Sequence, residues 1–187
     1  GAAPPEAMPS DMVAAALTVA VQDLGPAFFD HLLSLLNAET SAARRIEMLA
    51  AIGSATEPLA LARARNLLLD ESVLGNEVPW LLSHLTRPDR IDGTWEWFKG
   101  NRAALIARYP GFSRLYLPLQ FSRFCRADRG EDLDGLFSGY KKTVPGIAVT
   151  LRQAREQVAI CEAFVARHAA PARGFFAALS GAPEPSE

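Results

Sequence analysis

Cysteine is scarce in this chain of 187 residues, which has two, Cys125 and Cys161. That is too few for a disulfide scaffold and spells no zinc site, and the sequence leaves open whether the two approach each other. Histidine is nearly as rare. His31, His84 and His168 stand alone on separate predicted helices, with no H-E-x-x-H and no pair four apart, so no metal ligand set is expected. Alternating apolar and polar residues are missing and β-branched residues are sparse, which excludes strands. No run of about 18 apolar residues free of charge occurs, so no membrane span is expected. The amino end shows no basic region ahead of an apolar one, and a cytoplasmic chain is the expectation. A Gly-rich phosphate loop is absent too: Gly93 and Gly100 have no strand before them. The formal net charge of -2 argues against a dedicated nucleic-acid protein.

What is present is apolar residue in quantity, 49% of the chain, enough to bury a sizeable core. The sequence centres on Thr94-Trp95-Glu96-Trp97-Phe98-Lys99-Gly100-Asn101. On a helix Trp95 joins Phe98, Leu105, Ile106 and Tyr109 on one stripe, while Trp97 points about 200° away. Aromatics on two faces suit a helix wedged between two layers of neighbours, and both tryptophans read as packing residues.

Punctuation by Gly, Pro, Ser and Thr divides the rest into helices. Residues 1–9, small and Pro-rich, are expected to be a disordered lead-in. Ser10 or Asp11 caps a first helix to about Leu24, and Gly25-Pro26 starts a second with Phe28, Leu32, Leu35 and Leu36 as its stripe. Thr40 or Ser41 caps a third that ends near Gly53. Thr56 caps a fourth carrying Leu61, Ala64 and Leu68, and Asn76 opens a fifth that Pro88 ends. The aromatic helix begins at Gly93 or Thr94 and closes before Pro110-Gly111. A helix over Ser113–Phe124 follows, in which Pro118 either makes a kink or marks the true first turn. A short acidic helix covers Glu131–Phe137; Glu131 and Asp132 read as its solvated start rather than a catalytic pair. The longest helix runs from Ile147 to His168, with Ile147, Leu151, Ala154, Val158, Cys161 and Val165 within about 80° of one another. Pro171 is expected to break it, leaving Phe175, Phe176 and Leu179 on a closing helix and 181–187 as a frayed tail.

Helix, short turn, helix thus recurs every 30 to 40 residues or so. The fold class expected is all-α: a superhelical array of antiparallel helix pairs, an α-solenoid of the HEAT or armadillo kind, with about nine or ten helices in a single domain over 10–180. A compact bundle is the competing arrangement.

Chemistry has few places to reside. Cys161 falls on the buried seam and reads as an inert apolar residue, and nothing around either cysteine supports a Cys–His nucleophile. One charge feature stands out. From Lys99 through Arg102, Arg108, Arg114, Arg123 and Arg126 to Arg129, only Asp128 opposes the basic residues. Arg102 lies within the aromatic stripe, and Arg123 sits beside Phe121 and Phe124. These arginines are either solvated and paired with nearby acids, or a basic lining for an anionic group such as a peptide carboxylate.

A family resemblance rests on three blocks. They are Arg90-x-x-Gly93-Thr94-Trp95-Glu96-Trp97-Phe98-Lys99-x-Asn101, Phe121-Ser122-Arg123-Phe124-Cys125, and the acidic helix ending at Leu136-Phe137. Ala43-Arg44-Arg45 and Ala55-Thr56-Glu57-Pro58-Leu59-Ala60 add to them. Together they resemble the C-terminal helical domain of the zinc aminopeptidases, the alanyl, puromycin-sensitive and endoplasmic-reticulum enzymes, over about residues 10–180. The resemblance implies a helical accessory domain whose partners are the catalytic domain of the same polypeptide and peptide substrates, not nucleic acid or membrane. It implies no catalytic residue, no metal ligand and no cofactor in this chain, the zinc belonging to the parent enzyme. Arg123 and Arg102 are then the substrate-chamber candidates. Arg102 is a departure, since many relatives carry tryptophan there. A start at Gly1 rather than Met is compatible with an excised domain. The alternative is a free-standing helical-repeat adaptor that binds protein or peptide in its groove.

Overall fold

The computed structural model describes residues 9, 12–109 and 111–180. The lead-in (Pro9 apart), the Ser10 or Asp11 cap, Pro110 and the 181–187 tail lie outside the described residues. Nine α-helices and no strand occur among those described, so the fold is all-α as the sequence predicts. No described helix is long and apolar enough to cross a membrane. Within the stretch read as one repeat domain, the chain forms two compact units, one ending at Arg114 and one beginning at Leu115.

The first unit holds α1 (Val13–Asp23), α2 (Gly25–Ala38), α3 (Ala42–Ile52), α4 (Pro58–Leu67), α5 (Val78–Leu85) and α6 (Ile91–Arg108). Its helices form a solenoid-like array of two layers. In one layer α3 packs on both α1 and α5. In the other, Arg63 of α4 reaches α2, bridging Asp30 at 2.6 Å and lying over the Phe29 ring at 5.1 Å. Trp97 of α6 donates to Asn66 Oδ1 of α4 at 3.0 Å. The core between the layers is built from one stripe per helix: Phe29, Leu32 and Leu36; Leu49 and Ile52; Ala60 and Ala64; Leu81, Leu82 and Leu85; Trp95, Phe98 and Leu105. On α2 the inward residue is Phe29, with Phe28 half-buried and Leu35 exposed, so the stripe sits one position round from the predicted one.

Helix starts differ from expectation where a carboxylate outcompetes a hydroxyl. Glu57, not Thr56, caps α4, accepting from the Ala60 N–H at 2.7 Å, with Pro58 in the first turn. Glu39 accepts from the N–H groups of Thr40 and Ser41 at 2.8 and 2.7 Å ahead of α3. α6 begins at Ile91, which leaves Thr94 one turn inside; its hydroxyl donates to the Leu85 carbonyl at 2.7 Å and ties α6 to the end of α5.

The second unit holds α7 (Leu117–Gln120), α8 (Ala127–Phe137), a 3-10 turn (Ser138–Lys142) and α9 (Ile147–Ser180). The expected helix over 113–124 is instead a 3-10 turn, Gly111–Tyr116, followed by the short α7 with Pro118 in its first turn. α7 and α8 pack on the first half of α9, whose Ile147, Leu151, Ala154 and Val158 are buried as a seam. Pro171 does not end α9, which is 34 residues long in all with the proline inside it. The lost hydrogen bond is affordable there because that half is solvated: Ile160, Phe164 and Phe175 are 68%, 61% and 61% exposed. The inert-cysteine reading is corrected as well. Cys125 and Cys161 are half-buried and joined by a disulfide.

Arg45 of α3 ties several elements of the first unit together. It donates to both carboxylate oxygens of Glu77 at 2.6 and 2.9 Å, and to the Leu36 and Ser72 carbonyls at 2.6 and 2.7 Å. Burial acts to raise the Glu77 carboxyl, but Arg45 and the Leu74 N–H hold it below the usual value of 4.5. A depressed carboxyl stabilises the fold above its unfolded value, and that stability is lost as pH falls through the lowered folded value. Arg45→Met leaves a buried carboxylate alone and is expected to cost about 3–5 kcal/mol at pH 7 by urea unfolding. The gap from wild type is expected to narrow as pH falls below 4.5. A second pair of variants tests packing. A Cβ at Gly53 would come within 2.7 Å of the His84 Cβ, whereas Gly100 on α6 has nothing within 4 Å. Gly53→Ala is expected to destabilise by about 1–3 kcal/mol and Gly100→Ala to stabilise by about 0.5–1 kcal/mol, both read from thermal melts.

Candidate functional site

The aromatic block that carries the resemblance is a packing device in the first unit. Trp95 and Phe98 are buried, with ring centroids 5.8 Å apart. Trp97 is half-buried rather than wedged, and Asn101 donates from Nδ2 to its carbonyl at 2.9 Å. Gly93 lies under Arg65, whose Nη2 is 2.6 Å from where a Cβ would stand. Arg65 also donates from Nε to the Thr94 hydroxyl at 3.3 Å. Burial, with Arg90 close by, pulls the Arg65 guanidinium below its ordinary value. Trp95, Trp97, Phe98, Gly93, Thr94 and Asn101 thus each have a packing or hydrogen-bonding neighbour.

The basic cluster resolves in the same way. Arg108 donates to the Asp70 carbonyl at 2.8 Å and also to that of Val73, gathering the loop after α4 onto the last turn of α6. Arg114 donates from Nε to the Tyr109 carbonyl at 3.1 Å. Lys99 bridges Glu96 at 2.6 Å, Arg126 bridges Asp128 at 3.6 Å, and Arg129 bridges Asp132 at 2.9 Å while its guanidinium lies over the Phe124 ring. Two inward-facing arginines belong to the blocks that carry the resemblance, although periodicity gives no sign that they are buried. These are Arg45 and Arg90, the latter donating to the Gly53 carbonyl at 2.8 Å from a buried position. A guanidinium offers five donors in a flat fork, which makes it suited to collecting carbonyls at helix ends.

Of the two predicted chamber residues, Arg102 is half-buried on α6 in the first unit, and Arg123 is exposed in the link after α7 in the second. The second unit also has a groove of about 490 Å³ between α8 and α9, lined by Gly130, Glu131, Arg152, Arg155, Glu156 and Val158. Its lining carries charges of both signs beside the apolar Val158. Sequence reasoning missed this groove because its two walls come from helices read separately.

A zinc ion does not fit this chain's described residues. His31, His84 and His168 lie on α2, α5 and α9, and no group of three or more His, Cys, Asp or Glu residues is placed to hold a metal. His168 is exposed, its ring tilted against that of Phe164 with centroids 4.6 Å apart. Burial pushes the Tyr109 phenol upward, and its hydroxyl has no partner among the described residues. That removes it as a proton carrier near neutral pH.

No curated protein matches the chain. The family model of the ERAP1-like C-terminal domain matches residues 2–160, and so covers α1 through α8 and the buried half of α9. A match over that span, on a chain whose helices and motif residues pack as described, shows that this chain belongs to the ERAP1-like C-terminal domain family.

Proposed function

We propose that this chain is an accessory domain of a zinc-dependent aminopeptidase, a helical wall that closes over a catalytic domain in the same polypeptide. In this role it helps enclose the substrate chamber and controls which peptides enter. The family match over residues 2–160 carries the reading. Two features support it. The helices meet through matched packing and arginine-to-carbonyl bonds, the construction of a rigid wall rather than a catalytic pocket. The far half of α9 exposes Phe164, Phe175 and Leu179, a surface suited to a neighbouring domain.

In this reading the chain itself breaks no bond. Zinc, the catalytic base and the attacking water belong to the other domain. The wall excludes folded chains, and an exposed arginine such as Arg123, or Arg102 on α6, meets the carboxylate at the far end of a peptide. Such a contact helps only substrates long enough to reach it.

Two measurements test this. The isolated chain is expected to bind no stoichiometric zinc and to release no product from an aminoacyl anilide; one tight zinc per chain with turnover would overturn the reading. In the full-length enzyme, Arg123→Ala is expected to lower kcat/KM several-fold for a peptide of eight to ten or so residues and leave the anilide unchanged, since a single ionic contact is worth about 1 kcal/mol when exposed. Equal losses on both substrates would remove Arg123 from the chamber. A chain that binds peptide with no catalytic domain in its reading frame would favour the adaptor instead.

A further inference from the structure

The disulfide lies at a mechanically informative place. Cys125 is in the link between α7 and α8, and Cys161 follows Val158, the last buried residue of the α9 seam. α8 and α9 form a helical hairpin closed at one end by the turn through Pro145 and Gly146. The two cysteines, 36 residues apart in sequence with Cα atoms 4.8 Å apart, close its other end. Right beside them, the Ala127 N–H at the start of α8 donates to Glu162 Oε1 at 3.1 Å. The same spot is therefore pinned twice, once by a charged cap and once covalently.

The second unit is also where a covalent fastening matters most. Its described part runs from 115 to 180, and its core rests on a few side chains from α7, α8 and the link between them set against half of one helix. Units of that size bury a smaller fraction of their surface than larger domains do, so a covalent staple adds proportionately more to their stability. The first unit, with six helices and buried arginine networks, contains no cysteine.

We propose that this chain is built to mature in an oxidising compartment, where the Cys125–Cys161 bond locks the open end of the α8–α9 hairpin. Bond formation removes one proton from each thiol, joins the two sulfurs and passes two electrons to a disulfide oxidant. That oxidant is an oxidoreductase with an oxidised cysteine pair, or oxidised glutathione, which leaves as two thiols. In a glutathione-reduced cytosol the same pair would stand as free thiols and the hairpin would be held by packing alone. The proposal is independent of the aminopeptidase reading and points away from the cytoplasmic location expected from the amino end.

The test begins in the cells that naturally make the protein. They are quenched with acid, free thiols are alkylated, and the intact chain is weighed. Neither Cys125 nor Cys161 is expected to be alkylated. The purified protein is then melted with and without dithiothreitol, beside the C125S/C161S double variant. Reduction is expected to lower the Tm of the transition involving the second unit by on the order of 10 °C. The double variant is expected to keep its helical circular dichroism, melt with the reduced wild type and ignore the reductant. Quantitative alkylation of both thiols in the quenched cells would overturn the compartment. A bond that is present but leaves the melt unmoved by reductant would overturn the lock.

Discussion

Helix ends leave carbonyl groups without partners, and an array of short helices has many such ends. In the first unit this constraint is met by buried or half-buried arginines. Arg45 takes carbonyls from the end of α2 and from the loop before α5; Arg90 takes those at the end of α3; Arg108 takes those after α4. Each guanidinium therefore replaces water at a point where two helices and a loop meet. Had these positions been apolar, the carbonyls would be buried unpaired, at a cost of about 1–3 kcal/mol each. Glu77 completes the arrangement by neutralising Arg45 and fixing the loop that precedes α5 through the Leu74 N–H.

This use of charge explains why the site was less legible in the sequence than the fold. Helix periodicity and Gly/Pro punctuation place most of the helices, and of the stripe read on α6 Trp95, Phe98, Leu105 and Tyr109 are buried while Ile106 is half-buried. Periodicity, however, takes a charge as a surface mark. Arg45 and Arg90 look like solvent residues in a linear reading, and only coordinates reveal carbonyls around them. The run from Lys99 to Arg129 reads as a basic surface, yet Arg108 and Arg114 turn to main-chain oxygens and Lys99, Arg126 and Arg129 to neighbouring acids.

Boundaries failed for related reasons. The linear reading puts a hydroxyl cap at Thr56 and a helix start at Gly93 or Thr94, but Glu57 offers a carboxylate to α4, and Thr94 is better used inside α6 to hold α5. Pro171 was expected to end α9, because a proline in a buried helix orphans a carbonyl. Water removes that penalty on a solvated rod. The two cysteines, far apart in sequence and on what read as unrelated elements, gave no local signal of their pairing.

The junction between α1 and α2 is a single residue, Leu24, followed by Gly25 at a φ of 67°. A side chain at Gly25 would meet open space, so it is the backbone angle, not crowding, that selects glycine there. So tight an elbow leaves no slack. One inserted residue would rotate α2 by about 100° about its axis and swing Phe29, Leu32 and Leu36 out of the interior. Length variation among related chains should therefore be rare at this joint.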